Sequence, residues 1–177
     1  MRVKALHQLY SSEEIALRVA ELAGRINHCY RDGQLVMICV LKGAFMFFSD
    51  LLKLINVGPE IDFVRVASYG HGDTSSGTVS LLKDVETDLA GRHVLLVEDV
   101  VDTGATMDFL LARMRAAGAK TLRLAALVDK VERRRTDLTV DFPGFSLSEG
   151  FIVGYGLDYA ERYRELPAIY TIEFEDA

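Results

Sequence analysis

Residues 94–106 read VLLVEDVVDTGAT. The apolar run 94–97 predicts a buried strand, and a helix is predicted from Thr103 to Ala117, where Gly118 ends it. Glu98 and Asp99 end the predicted strand, and the turn from Asp102 to Thr106 opens the helix, whose first backbone N–H groups have no partner inside it. This strand–turn–helix unit gathers three carboxylates and two hydroxyls at one place.

Strands and helices alternate on both sides of this unit. Ser11 and Glu14 form a capping box ahead of a helix, Leu35–Leu41 predicts a strand buried on both faces, and a helix follows at 44–54. Further strands are predicted at 61–68 and 122–128, and short ones at 151–153 and 168–174. The pattern indicates an α/β fold with a mostly parallel sheet, whose ligands bind beyond the carboxyl ends of the strands. Without an internal repeat or linker, residues 1–177 are predicted to form one domain.

Composition excludes several classes of protein. With 50% apolar and 26% charged residues, the chain is globular rather than disordered. Its longest apolar run, Leu35–Leu41, is too short to cross a membrane, and the polar N-terminus does not resemble a signal peptide. A net charge of −6 opposes binding to nucleic acid and favours a small ligand. Cys29 and Cys39 lie among apolar residues, so we expect buried thiols and a reducing, cytoplasmic location.

The turn at residues 102–106 has the features of a phosphate site. A helix N-terminus attracts anions, Gly104 lets the backbone approach closely, and Thr103 and Thr106 add hydroxyl donors. Carboxylates beside a phosphate need a partner that donates protons or carries positive charge. Ribose hydroxyls and Mg²⁺ both meet that need, so the residues predict a ribose 5-phosphate pocket. The competing interpretation is that Glu98 and Asp99 are solvated and that Asp102 only caps the helix.

Residues 97–106 resemble the phosphoribosyl diphosphate signature of type I phosphoribosyltransferases. Five further matches, in the expected order, resemble the hypoxanthine-guanine branch of that family: Leu41-Lys42-Gly43-Ala44, Ser68-Tyr69-Gly70, Asp129-Lys130, Phe151-Ile152-Val153-Gly154-Tyr155-Gly156-Leu157-Asp158-Tyr159 and Arg164. The resemblance implies a central sheet flanked by helices, with a small hood built from the terminal segments. It also implies purine salvage: with Mg²⁺, the 5-phosphoribosyl group passes from phosphoribosyl diphosphate to hypoxanthine or guanine, giving IMP or GMP and pyrophosphate. Relatives are usually homodimers or homotetramers.

The resemblance also implies roles for the residues around the sugar. Glu98 and Asp99 contact the ribose hydroxyls and help to hold Mg²⁺. The loop made of Asp102, Thr103, Gly104, Ala105 and Thr106 wraps the 5-phosphate. Asp102 is in addition the candidate general base, which manages the proton on purine N7 while N9 attacks.

A second group of residues is implied to bind the diphosphate. Lys42 and Gly43 match its loop, in which we expect a non-proline cis peptide within Leu41-Lys42-Gly43. Ser68 and Tyr69 begin a lid that approaches the diphosphate and excludes water. Asp158 matches a ligand of a second Mg²⁺, and Arg164 a guanidinium that clamps pyrophosphate. Each could otherwise be an ordinary surface residue.

A third group is implied to read the base. Lys130 would donate to a 6-oxo group and so disfavour adenine, although it also begins the charged run 130–135, which is typical of a solvated turn. Phe151 matches an aromatic side chain that stacks on the base, and Ile152 a residue whose backbone reads its 2-position. By periodicity alone, both would belong to the core.

The sequence leaves alternative functions open. A signalling receiver domain is disfavoured because its acid pair ends the first strand, whereas only residues 100–177 follow Asp99 here. A nucleotide-binding regulator with the same fold is disfavoured by the acidic charge and the absence of an added DNA-binding segment. Among enzymes, xanthine-preferring and pyrimidine-specific branches stay open, although the matches at Lys130 and 151–158 favour 6-oxopurines.

Overall fold

The computed structural model describes residues 2–31, 33–68, 79–148 and 150–175. The helices in these ranges are α1 (Ser12–Cys29), α2 (Phe45–Leu54) and α3 (Ala105–Ala116), with a 3₁₀ turn at Val131–Arg133. The strands are β1 (Val3–Tyr10), β2 (Leu35–Leu41), β3 (Glu60–Ser68), β4 (Val79–Lys83), β5 (His93–Val101), β6 (Thr121–Asp129), β7 (Phe142–Ser146), β8 (Ile152–Val153) and β9 (Ile169–Phe174).

The larger sheet has six strands in the order β4-β3-β2-β5-β6-β7. All neighbours are parallel except β4, which pairs antiparallel with β3. The order runs outward in opposite directions from β2 and β5, so these two adjacent strands form the topological switch point where α/β proteins bind their ligands. The predicted α/β fold with a mostly parallel sheet is confirmed.

Apolar side chains cover both faces of this sheet. On one face, Met37 and Leu95 pack in a cluster with Leu22 of α1 and Phe47 of α2. On the other face, Ile38 and Leu96 pack with residues of α3 such as Leu110 and Met114. Because both faces are covered, β2 and the first half of β5 are apolar without alternation.

A second sheet, β1-β9-β8, is antiparallel and joins the two ends of the chain. It is the predicted hood. Strand β1 was not predicted from the sequence, because the exposed and half-buried positions of this strand do not alternate regularly. Strands β4 and β7 were also not predicted. Both are five-residue edge strands, and β7 contains Pro143 and Gly144.

Several predicted boundaries are confirmed and two predictions are wrong. Ser11 caps α1 with the predicted capping box to Glu14, and β2 covers the predicted range. Strand β5, however, continues to Val101, so Glu98 and Asp99 lie inside the strand rather than at its end. Cys39 is buried as expected, but Cys29 is exposed. At the end of α1 the buried positions are Ile26 and Tyr30, so Cys29 lies off the buried face of the helix. No helix in the described ranges is long and apolar enough to span a lipid bilayer.

Candidate active site

Strand β5 extends beyond the point where its neighbour β2 stops pairing with it, and this difference leaves a crevice. It pairs with β2 only as far as Val97, opposite Cys39, whereas it pairs with β6 as far as Val101. Beyond Val97 the β2 side of the strand is therefore free of a ladder. Glu98 and Asp99 occupy this stretch, at the switch point where α/β proteins bind their ligands.

The two carboxylates of this stretch repel each other, and one of them, Glu98, is buried while Asp99 is half-buried. Glu98 is 7% exposed, and its Oε1 accepts a hydrogen bond of 3.0 Å from the Asp99 amide. Burial first, and the Asp99 carboxylate second, raise the pKa of Glu98 well above its ordinary value. An acid pair of this kind is stabilised by a ligand that donates protons or carries positive charge.

The loop after β5 presents unpaired backbone donors. Gly104 stands at the start of α3 with a left-handed φ of 92°, and no side chain caps the helix there. A side chain at this position would also collide with Thr136, since a Cβ would lie 2.3 Å from its Oγ1. The structure thus requires glycine at the turn and leaves the helix N-terminus free to bind an anion.

Two arginines hold this loop from the turn that follows β6. Arg133 Nε lies 2.8 Å from Asp102 Oδ1. Arg134 donates to the Asp102 carbonyl at 3.2 Å and to the Leu138 carbonyl at 2.7 Å, and it pairs with Asp129. The Arg134 and Asp129 side chains are each 10% exposed. The run 130–135 is therefore not a uniformly solvated turn, and sequence reasoning missed that Arg134 supports the loop.

Lys130 links this loop to the hood. Its amide donates to the Val101 carbonyl at 2.9 Å, and its ammonium donates to the Gly150 carbonyl at 2.8 Å. Lys130 is 6% exposed. Burial lowers its pKa, and the neighbouring Arg133 adds to that effect while Asp102 opposes it. A buried ammonium at a strand end that donates to one carbonyl oxygen has donor capacity left for a ligand.

Phe151 directly follows Gly150 and is 48% exposed. Its ring meets those of Tyr159 and Phe174 edge to face, at centroid distances of 5.4 and 6.3 Å. Ile152, in contrast, is buried. The core interpretation of Phe151 is wrong, because the hood leaves half of its surface uncovered. That surface can stack on a planar ligand.

The loop after β2 joins the acid pair to the hood through two glycines. The Leu41–Lys42 peptide is cis, as the resemblance implies. A Cβ at Gly43 would lie 1.6 Å from Asp99 Oδ2, and a Cβ at Gly156 would lie 2.2 Å from the Gly43 carbonyl oxygen. Neither position has space for a side chain, so the Gly43 backbone lies against the Asp99 side chain and the Gly156 backbone lies against that of Gly43.

Charged side chains cluster beyond this contact. Arg164 donates to the Gly156 carbonyl at 2.7 Å and lies 2.6 Å from Asp158 Oδ1. Lys42 Nζ lies 2.9 Å from Glu161 Oε2, which is also 3.4 Å from Arg164 Nη2. The predicted residues Lys42, Asp158 and Arg164 are thus brought together. Glu161 was not predicted, although it stands between Asp158 and Arg164 in the sequence.

Unsatisfied polar atoms also mark this region. Across the described residues, the buried side-chain nitrogens and oxygens without a hydrogen-bond partner belong to Tyr30, Asp102, Thr136 and Arg164. Asp102 Oδ1 makes an ion pair with Arg133 but no aligned hydrogen bond. Buried polar groups are normally hydrogen-bonded, so the Asp102 oxygen and the Arg164 nitrogen are candidates for contact with a ligand.

The remaining predicted residues lie as follows. Thr103, Ala105 and Thr106 surround Gly104 in the loop and the first turn of α3. Ser68 ends β3, but its side chain and all of Tyr69 fall outside the described residues, so the predicted lid does too. Within the described ranges no three His, Cys, Asp or Glu side chains form a cluster that could hold a metal. Mg²⁺ is commonly held by one or two carboxylates together with phosphate oxygens, which fits the smaller groups present here.

A switch point with an acid pair, an open helix N-terminus and a separate cluster of paired cations and carboxylates is typical of α/β proteins that bind a phosphorylated ligand. The family model of the phosphoribosyl transferase domain matches residues 5–160. The chain therefore belongs to the phosphoribosyltransferase family, in its hypoxanthine-guanine branch. The family resemblance of the sequence motifs is confirmed.

Relatives in this branch match nearly the whole chain. The hypoxanthine-guanine phosphoribosyltransferase of Bacillus subtilis is 45% identical over 161 residues, which are 91% of this chain and 89% of that protein. The Aquifex aeolicus protein of the same name is 42% identical and covers 98% of both chains. Among solved structures, a hypoxanthine-guanine phosphoribosyltransferase from Bacillus anthracis superposes with a TM-score of 0.91 at 40% identity, covering 97% of this chain and 100% of that one.

Proposed function

We propose that this protein transfers the 5-phosphoribosyl group of phosphoribosyl diphosphate to hypoxanthine and guanine, forming IMP or GMP and releasing pyrophosphate. The observation that carries the proposal is the crevice between β2 and β5. There the buried Glu98, its half-buried neighbour Asp99, the open N-terminus of α3 and the Lys130 ammonium all stand at the carboxyl ends of the adjacent strands β5 and β6. The names of the relatives support the choice of purine bases.

In this proposal the phosphoribosyl unit spans the loop and the acid pair. The free amides at the start of α3, with the hydroxyls of Thr103 and Thr106, bind the 5-phosphate. Glu98 and Asp99 accept hydrogen bonds from the ribose 2- and 3-hydroxyls. That interaction offsets the repulsion which raises the pKa of Glu98. The sugar is thereby held while positive charge develops on its anomeric carbon.

Mg²⁺ fits the same residues. The pair of buried Glu98 and half-buried Asp99 is a set of hard oxygen donors whose charged form a divalent cation would stabilise. Glu98 and Asp99 would hold one Mg²⁺ and Asp158 a second. A bound Mg²⁺ supplies positive charge that stabilises the departing diphosphate. Asp158 would have to share its oxygens, since they already contact Arg164 and the Glu161 amide.

The base lies between Lys130 and the hood. The Lys130 ammonium donates to the 6-oxo oxygen, and the exposed face of Phe151 stacks on the ring while the backbone of Ile152 reads the 2-position. Asp102 accepts the N7 proton through Oδ1, the buried oxygen that lacks a hydrogen bond in this structure. Lys42 with Gly43, Ser68 with Tyr69, and Arg164 bind the diphosphate.

Because the sheet and the hood both contribute residues, we further propose that residues 1–177 act as one catalytic domain. Assembly into a homodimer or homotetramer remains a prediction from the family resemblance, and a cytoplasmic location remains a prediction from the cysteine residues. Light scattering on the purified protein measures the first. A monomer at working concentration would contradict it.

A panel of bases tests the proposed reaction. We expect the protein to convert hypoxanthine and guanine with phosphoribosyl diphosphate and Mg²⁺, and to lose that activity when the metal is chelated. Adenine should react at least about 100-fold more slowly, because its 6-amino group cannot accept from Lys130. Turnover of uracil but of neither purine would overturn the proposal, and predominant turnover of xanthine would correct the substrate.

Substitution of Lys130 sharpens the same test. We expect Lys130→Met to reduce kcat/KM for hypoxanthine by roughly 10- to 100-fold while leaving the affinity for phosphoribosyl diphosphate within about twofold. Lys120→Met is the control, because Lys120 is an exposed residue at the opposite end of β6. Equal losses for 6-oxopurines and adenine would remove Lys130 from base recognition.

A further inference from the structure

One carboxylate is paired with both cations of the predicted diphosphate subsite. Glu161 Oε2 lies 2.9 Å from Lys42 Nζ and 3.4 Å from Arg164 Nη2. Lys42 and Glu161 are 119 residues apart in the sequence, so tertiary structure alone produces the contact. The bridging oxygen stands where an oxygen of the diphosphate has to stand if Lys42 and Arg164 are to bind it.

The backbone around Glu161 is arranged to deliver its side chain to this place. Ala160 and Glu161 both adopt left-handed φ angles, 52° and 63°, which non-glycine residues seldom do. The Glu161 amide donates to Asp158 Oδ2 at 2.8 Å, and backbone hydrogen bonds between Tyr159 and Arg162 close the turn. Such a conformation costs free energy and persists only where its surroundings hold it.

The contact is also of a kind that a ligand can break. The Glu161 side chain is 65% exposed and that of Lys42 45% exposed. Exposed ion pairs are worth little, because water competes for both partners. A diphosphate carries several negative charges and can engage Lys42 and Arg164 at once, so it is able to displace a single carboxylate.

We propose that Glu161 is an internal competitor of the diphosphate: in the free protein it neutralises Lys42 and, together with Asp158, Arg164, and it must move away when the diphosphate group binds. The inference rests on the proposed function and names a residue that sets affinity at that subsite. The apparent affinity for the diphosphate group is then the intrinsic affinity multiplied by the fraction of molecules in which Lys42 and Arg164 are free of Glu161. Competition by Glu161 also disfavours the binding of weakly charged anions. When pyrophosphate leaves, the Glu161 carboxylate pairs with Lys42 and Arg164 again.

Calorimetric titration with inorganic pyrophosphate provides the direct test. We expect Glu161→Gln to bind pyrophosphate roughly two- to tenfold more tightly than the wild type, because the neutral amide no longer occupies the cations. The KM for phosphoribosyl diphosphate should fall in parallel without a rise in kcat. Glu165→Gln is the matched control: it removes the same charge from an exposed residue four positions away and should leave the affinity unchanged.

A double-variant cycle separates local competition from a general charge effect. In a Lys42→Met background, the gain from Glu161→Gln should shrink, since one of the two released cations is absent. Equal tightening by Glu161→Gln and Glu165→Gln would overturn the inference in favour of net charge. Weaker binding of pyrophosphate to Glu161→Gln, seen only with Mg²⁺ present, would overturn it by showing that Glu161 is a metal ligand.

The result also separates this inference from the proposed function. If the wild type turns over purines and Glu161→Gln leaves pyrophosphate affinity unchanged, the inference alone is wrong. If no form of the protein binds pyrophosphate or phosphoribosyl diphosphate, the proposed function fails and the inference fails with it.

Discussion

At the end of the crevice that we propose to bind the 5-phosphate, called the phosphate end, the acid pair Glu98–Asp99 and the loop 102–106 lie within residues 98–106 of the sequence. Glu98 is almost fully buried there. At the diphosphate end, Lys42 meets Glu161 across 119 residues of chain, and both side chains are about half exposed. One end is fixed by a central strand and a helix, while the other depends on ion pairs between a tight loop and the hood.

This difference separates two ways of binding an anion. The phosphate loop uses backbone donors whose positions the fold fixes, with Arg134 and Asp129 buried behind them. Little reorganisation is then needed when the 5-phosphate arrives. The diphosphate end uses flexible side chains that already have partners, so binding there exchanges one set of contacts for another. Such an end can release its product more readily than the first.

The largest effect is expected from Asp102→Asn at the phosphate end. We expect kcat to fall by roughly 100- to 10,000-fold, the usual contribution of a general base, because the amide cannot take the N7 proton. The affinity for phosphoribosyl diphosphate should change far less, since backbone amides bind the phosphate. Steady-state kinetics and calorimetry measure the two quantities separately.

The matched control is Asp137→Asn, which removes a carboxylate from an exposed position on the segment after the 3₁₀ turn. It should leave kcat unchanged. A wild-type kcat for Asp102→Asn would remove Asp102 from the role of base and leave it as a structural residue of the loop.

Gly43→Ala tests the joint between the two ends. Because the new Cβ would meet the Asp99 carboxylate, either the acid pair or the Lys42 loop has to move. Displacements of about 1 Å can cost up to 100-fold in rate, so we expect kcat/KM to drop by roughly 10- to 100-fold. Gly24→Ala is the contrasting variant: nothing lies within 4 Å of its added Cβ, and alanine should stabilise α1 by about 0.5–1 kcal/mol. Normal activity of Gly43→Ala would show that the two ends are not coupled through this contact.

The smallest effect is expected from Asp62, which lies outside both ends and reports on stability alone. Burial would raise the pKa of Asp62, but hydrogen bonds from the amides of Thr87, Phe63 and Glu86 outweigh it and lower the pKa to about 2. A carboxyl whose pKa is depressed on folding stabilises the protein above its unfolded pKa. That contribution is lost as the pH falls through the folded value.

We therefore expect Asp62→Asn to lower the free energy of unfolding by about 1–2 kcal/mol at pH 7, and by progressively less between about pH 4 and pH 2. Urea titrations across this pH range measure the difference, and kcat at pH 7 should be unaffected. A stability deficit that stays constant down to pH 2 would show that the hydrogen bonds do not depend on the charge of Asp62.

Local sequence patterns predicted the elements with strong signals. The capping box at Ser11 and the unbroken apolar run of β2 were sufficient, because helix caps and doubly covered strands depend on residues close in sequence. The edge strands β4 and β7 were missed because five residues carry too little periodicity. The continuation of β5 to Val101 was missed because Glu98 and Asp99 interrupt an apolar run, although pairing with β6 holds the strand there.

The site shows the same division. The loop 102–106 could be recognised from its own residues, since glycine, hydroxyls and a helix start are adjacent in the chain. Phe151 could not be placed, because core and site positions have the same apolar character until the hood is assembled. Arg134 and Glu161 appeared as ordinary surface charges, and only their contacts with Asp129 and Lys42 give them a role.

By itself, the sequence determined an α/β protein with a glycine-containing turn after a central strand, for which it predicts phosphate binding, because propensity, capping and glycine requirements act over a few neighbouring residues. The tertiary structure alone decided that β2 stops short of β5 and that two glycines let the hood approach the acid pair. It also decided that one glutamate pairs with both cations of the diphosphate end. Those features depend on packing between segments far apart in the chain, and local sequence patterns do not predict which distant segments will be in contact.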